Sequence, residues 1–226
     1  MAILLPPRND PSYGVDGIMH GAALDGSRDQ VCDDRYSKAN ASIYGYNGLT
    51  VGDWFARRII AEFHGAHRRR KGTVFGDGSV FGDGKTGAFS VLYPYQAHYE
   101  PRKDICYDTS SSTNTSDFGT REPLALLKSY ETQNDIRVLC PMEEVRGYRY
   151  EGLYRVVDMY YSCDGQNTEF YLERQGGQPS LESLVRPTAD ELQLYEQTQG
   201  HSTLGWEMES AWGVVERTVC WERLIP

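Results

Sequence analysis

The apolar residues of this chain come in short runs, and that sets the fold class before anything else does. Residues 88–93 (Ala-Phe-Ser-Val-Leu-Tyr), 104–107, 136–140, 153–160 and 168–172 are each strand-length and rich in aliphatic or aromatic side chains. Polar or glycine-rich segments close off each run, which is how short strands are punctuated. Helical signals are fewer. Residues 123–128 predict a helical turn, and Thr188-Ala189-Asp190-Glu191 is a capping box that opens a helix to about Gln197, with Gly200 as its stop. The succession predicts an α+β, mainly β fold, a barrel or closed sheet with flanking helices rather than a parallel α/β domain.

The segments between the runs are less regular. Residues 1–43 carry Gly, Asp and Pro with little hydrophobic period and read as an irregular arm, wrapped on the body or partly disordered. Residues 48–53 form a turn leading into Trp54-Phe55, from which a strand is expected to run to Phe63. Residues 72–87 are a glycine-rich loop holding a tandem copy, Val74-Phe75-Gly76-Asp77-Gly78 and then Val80-Phe81-Gly82-Asp83-Gly84. Its spaced aspartates lack the glutamate and ligand alternation of a calcium loop, so a locally duplicated loop is the reading. Residues 182–226 are expected to form a helical, Trp-rich extension packed back on the domain, since exposed tryptophans would be costly.

Composition then removes function classes. The longest apolar stretch, residues 3–7, is too short to span a bilayer, and the N-terminus lacks the basic start and cleavage site of an export signal. Cys32, Cys106, Cys140, Cys163 and Cys220 are odd in number, far apart and without a C-x-x-C pair, which argues against a disulfide framework and a closed zinc site. No metal or cofactor is expected. A net charge of −9 is unhelpful for binding phosphate, but the charge is uneven. Residues 54–71 hold Arg57, Arg58, Arg68, Arg69, Arg70 and Lys71 against Glu62 alone, while residues 181–226 hold eight acids and three bases.

Six landmarks occur in one order. They are Tyr46-Asn47-Gly48 with Val51-Gly52-Asp53-Trp54; Gly65-Ala66-His67-Arg68; residues 87–92; Ile136-Arg137-Val138; Tyr150-Glu151-Gly152-Leu153-Tyr154-Arg155-Val156; and Gly177-Gln178-Pro179. Over residues 44–181 this series resembles the SRA-YDG family, with Tyr150-Glu151-Gly152 standing for Tyr-Asp-Gly. The resemblance implies a curved β-barrel of the PUA-like type. It also implies double-stranded DNA with a modified cytosine as partner: family members bind 5-methylcytosine, or in some branches hydroxymethylcytosine, by rotating the nucleotide out of the duplex. Such a pocket wants aromatic faces for stacking and an acceptor for the exocyclic amine.

By the same resemblance the base pocket falls on Tyr95, His98, Glu100, Tyr107 and Asp108. Tyr107 matches the second stacking tyrosine and Tyr95 lies at the family's spacing for the first. The family's pocket aspartate falls on His98, or on Glu100 if the alignment runs ungapped from Ser90, and either is a departure. His67, Arg68, Arg69, Arg70 and Lys71 head a loop that in the family probes the gap left by the base. Residues 110–117 lack the Asn-Lys-Arg triplet that some members use to sense the opposite strand, so little preference for hemimethylated sites is expected. No catalytic residue is assigned: the chain shows no nucleophile elbow, P-loop or H-E-x-x-H, and His20 and His201 are lone histidines. The expectation is a reader in the nucleus, with chromatin proteins as further partners. The alternative is a diverged scaffold that binds protein and no longer reads DNA.

Overall fold

The computed structural model describes residues 9–24, 30–68, 79–93, 104–108, 121–142, 147–161, 168–198 and 222–223. In chain order they form β1 (Ala22–Leu24), β2 (Gln30–Cys32), β3 (Trp54–Phe55), α1 (Arg58–Phe63), β4 (Ser79–Asp83), β5 (Gly87–Leu92) and β6 (Asp104–Asp108). There follow α2 (Arg121–Thr132), β7 (Ile136–Pro141), β8 (Tyr148–Tyr161), β9 (Thr168–Arg174), α3 (Ala189–Thr198) and β10 (Glu222–Arg223). The main sheet runs β4-β5-β7-β8-β9-β6, with β3 and β10 also paired to β8. Among the described strands only β5 and β7 run parallel, Ser90 beside Arg137 and Leu92 beside Leu139. The fold is mainly β with helices, as the short runs predict. Strand pairing among the described residues ends at β4 and β6 and does not itself close a ring.

Three bulges bend this sheet, because each extra residue breaks the flat ladder and raises local twist. On β5, Ser90 faces Phe81 and Ala88 faces Gly82, which leaves Phe89 as the extra residue. On β8, Tyr150 faces Leu139 and Gly152 faces Val138, leaving Glu151. Further along β8, Val156 faces Leu172 and Asp158 faces Tyr171, leaving Val157.

The middle of the sheet is buried on both faces. One cluster gathers Val80, Val91, Ile136, Val138, Tyr154 and Phe170 with Ala125 and Leu126 of α2. The other gathers Leu92, Leu139 and Tyr150 with Trp54, Ile59 and Ile60, the arm residues Tyr13 and Met19, and Tyr195 of α3. Double burial explains why β7, apart from Arg137, is apolar instead of alternating. It also makes Arg137, the second residue of β7 and 0% exposed, a conspicuous exception.

Several local expectations change. The strand expected from Trp54 to Phe63 is only β3, followed by α1: Ile59 and Ile60 pack with Trp54, Leu92 and Leu139, while Phe63, one turn on, is buried against His20 and Gly21 of the arm. Part of the glycine-rich loop is a strand, β4, because Val80 and Phe81 pair with Val91 and Ser90. The helical turn at 123–128 is a twelve-residue helix in which Pro123 sits in the first turn, where its missing N–H costs nothing. The arm, in the part described, is wrapped on the body, with a 3-10 turn at Pro11–Tyr13 and a β1–β2 ladder. At α3 the capping box forms reciprocally: the Glu191 amide donates to Thr188 Oγ1 (3.2 Å) and the Thr188 amide to Glu191 Oε2 (2.8 Å).

Candidate nucleic-acid interface

The segment that leads to Arg68 is fixed from three sides. After α1 the chain turns at Gly65, whose φ of +70° and close neighbours Asn47 and Ala39 leave no room for a side chain. Asn47 donates its amide to the carbonyls of Gly65 (3.0 Å) and Asn40 (2.9 Å), tying the first landmark to the second. The buried Arg137 guanidinium donates to the carbonyls of Ala66 (3.2 Å), Gly45 (2.9 Å), Ala41 (2.6 Å) and Ile43. Burial pushes its pKa down to about 10, which leaves it charged at neutral pH. One cation thus organises residues 41–45 and the exit of α1 together. Nothing in the sequence assigned this role, although a lone arginine inside an apolar strand was the visible signal.

His67 comes next and points inward. It is 1% exposed, and Nδ1 lies 3.0 Å from Ser90 Oγ on β5. Desolvation holds its pKa well below the usual histidine value, helped by the positive charges of Arg58 and Arg137. The imidazole is neutral and sealed, so the expectation that His67 is part of the DNA-facing loop is corrected. Arg68 is exposed, with its guanidinium 5.9 Å from the centre of the Phe81 ring. Arg57 is half-buried and Arg58 buried, so these two turn away from the basic surface that the composition suggested. Arg69, Arg70 and Lys71 lie outside the described residues.

A second lock joins the fifth and sixth landmarks. Gly152, at φ +113°, lies so near Gln178 that a Cβ would stand 2.3 Å from Oε1. That amide accepts from the Leu153 N–H (2.8 Å) and donates to the Leu153 carbonyl (2.9 Å), imitating a strand partner. Glu151, the acid of the motif, is turned inside by the bulge and paired with Arg149 at 2.8 Å. Its role here is structural.

Tyr107 lies in the α2-side cluster and is 1% exposed, beside Ile105 on β6 and opposite Phe170 on β9. His67 and Ser90 belong to the other face of β5. The structure therefore does not bring Tyr107 together with His67 and Arg68 on one face. Asp108 ends β6, while Tyr95, His98 and Glu100 lie outside the described residues. No three His, Cys, Asp or Glu side chains among the described residues are grouped to hold a metal ion.

The sequence profile of the SAD/SRA domain matches residues 43–178. The chain belongs to that family. No curated protein matches it. Among solved structures, this SAD/SRA chain is similar to the SUVH5 SRA domain in complex with hemi-methylated CG DNA. That match is 26% identical, covers 62% of this chain and 99% of the other, and has a TM-score of 0.49. It is similar to the same domain bound to fully hydroxymethylated CG DNA, at 26% identity, the same coverage and a TM-score of 0.47. SUVH6 of Arabidopsis thaliana, in complex with SAM, is 27% identical over 61% of this chain and 28% of that one, with a TM-score of 0.44. Within the SAD/SRA domain, every landmark read from the sequence falls at a point where one segment locks another.

Proposed function

We propose that this chain is a DNA-binding reader that turns a modified cytosine, 5-methylcytosine or a derivative, out of the duplex and holds it without chemistry on it. The observation that carries this is the family profile over residues 43–178, whose landmarks are interlocked in the fold as one scaffold. Unstacking a base costs a few kcal/mol, which a pocket offsets by stacking and by hydrogen bonds to the base edge. Tyr107 supplies one such ring, and the reading requires that one of its faces be uncovered when the base arrives. Tyr95, His98, Glu100 and Asp108 complete the proposed pocket. Arg68, with Arg69, Arg70 and Lys71 beyond it, supplies the phosphate contact. The place of action is then the nucleus, with chromatin proteins as further partners.

The test is a binding titration against methylated, hydroxymethylated and plain duplexes at two salt concentrations. The modified duplexes should bind more tightly, and all three should weaken as salt rises. Equal, weak and salt-insensitive binding to every duplex would remove the reader. One observation favours the scaffold as a second reading. On the outer face of β6 and β9, Asp104 stands directly opposite Glu173, so this face repels phosphate and suits a basic partner.

A further inference from the structure

Large apolar side chains crowd one exposed place. Ile43 is 45% exposed, Tyr44 37% and Tyr46 45%, within four consecutive residues. Their exposure is built. Arg137 draws the carbonyls of Ile43 and Gly45 inward, which fixes this segment's backbone from beneath while its large side chains stand at the surface. The Tyr44 hydroxyl donates to the Thr86 carbonyl at the β4–β5 turn, so the ring is held in place. It packs on half-buried Phe89 with centroids 4.7 Å apart, and Phe89 packs on Phe81, also half-buried, at 5.7 Å. The Phe89 bulge makes this possible by turning Phe89 toward the side that Phe81 and Ser90 occupy. Phe81 in turn lies under Arg68.

The strip has a cation at each end. Arg68 lies over Phe81, and Lys85 sits in the turn that anchors Tyr44. Among the described side chains these are the exposed bases that no carboxylate meets at ion-pair distance; exposed Arg35, Lys38 and Arg186 and half-buried Lys128 and Arg155 are so paired, and half-buried Arg174 donates to the carbonyls of Glu151 and Pro179. Asp83, in the same turn and within electrostatic reach of Lys85, commits Oδ1 to the turn's own donors, the Lys85 and Thr86 amides and the Thr86 hydroxyl. A row of rings between two cations suits a strand whose bases are free to stack and whose phosphates are negative. Paired duplex offers no base faces to such a row.

We infer that the Tyr44–Phe89–Phe81 strip binds unpaired bases of DNA adjoining the modified site. The inference rests on the DNA-binding reading above, because the strip is continuous with Arg68. It is tested with the full chain and a short duplex carrying one 5-methylcytosine, blunt or with a run of unpaired thymines, followed by fluorescence anisotropy. The unpaired run should tighten binding about tenfold, and Tyr44→Ser with Phe81→Leu should remove most of that gain while blunt-duplex binding persists. An unpaired run that adds less than about twofold, or a gain that survives both substitutions, overturns the inference. If a variant fails to fold by circular dichroism, 5-iodouracil placed in the unpaired run and irradiated with the unaltered chain takes its place. Adducts on Tyr44, Phe81 or Phe89 support the strip, and adducts only elsewhere overturn it. A Tyr44-dependent dimer in sedimentation, without any gain from the unpaired run, assigns the face to a second copy and also overturns it. Loss of preference for the modified duplex with the gain intact would sink the reader and leave the strip standing.

Discussion

At the scale of single residues, the landmarks are explained by what a different side chain would break. Gly152 combines a left-handed backbone with a neighbour at 2.3 Å from any added Cβ. Gly152→Ala should therefore cost about 2–4 kcal/mol, from backbone strain and displacement of the Gln178 clamp. Denaturant titration would show this as a lower midpoint with an unchanged slope, and an unaltered midpoint would contradict the clamp. Tyr107 calls for a more careful substitution. Truncating it to Ala would open a cavity in the α2-side cluster and unfold the protein before testing any pocket. Tyr107→Leu keeps most of the volume and removes the aromatic face. It should leave the fold intact, abolish the preference for modified over plain duplex, and retain weak phosphate binding. Discrimination that survives this change places the pocket elsewhere.

At the scale of elements, α1, β5 and β7 meet around one polar knot in which a neutral histidine and a buried arginine lie close. The sign of the pH dependence follows from this. His67 has its pKa depressed in the folded state, so the unfolded chain binds a proton first as pH falls. Its contribution to stability is complete above the unfolded value of about 6.5 and declines below it, by up to about 1.4 kcal/mol per pH unit. His64, capping α1, is shifted in the same direction by desolvation and by His20, and adds to the slope. Stability measured by denaturant should fall between pH 7 and pH 5, and His67→Gln should flatten the decline. A slope unchanged by that substitution would mean His67 is solvated in the native state. Elements were only partly legible beforehand. The strand runs were clear because strand length and β-rich composition are local properties. The missed β4 was hidden by a glycine-rich duplication, and the missed α1 by two adjacent isoleucines that suit either structure. Both were settled by packing.

At the scale of the molecule, the net charge of −9 bears on the proposed polyanionic partner. Pairing and burial sharpen the demand for positive charge: carboxylates take most of the surface bases, and Arg137 and Arg149 are buried away from solvent, so few cations are left to face phosphate. Among the described side chains, Arg68 and Lys85 are the exposed bases left without an ion pair. Replacing Arg69 and Arg70 by Ala should lower affinity for every duplex alike and flatten the dependence on salt by about one unit of slope per lost contact. Titration of modified and plain duplexes over a salt series checks this. A change confined to the modified duplex would instead place these arginines at the base.

What the sequence by itself determined is the set of things carried by local order: the strand runs, the capping box, the six landmarks and through them the family. What only the tertiary structure decided is what those landmarks do. Asn47 reaches Gly65, Arg137 reaches four carbonyls scattered over residues 41–66, and Gln178 closes on Gly152, all between residues far apart in the chain. The reason is physical. A buried donor must find its acceptor wherever the fold puts it, and the burial that makes His67 silent and the Tyr44 ring exposed exists only once the sheet has bent.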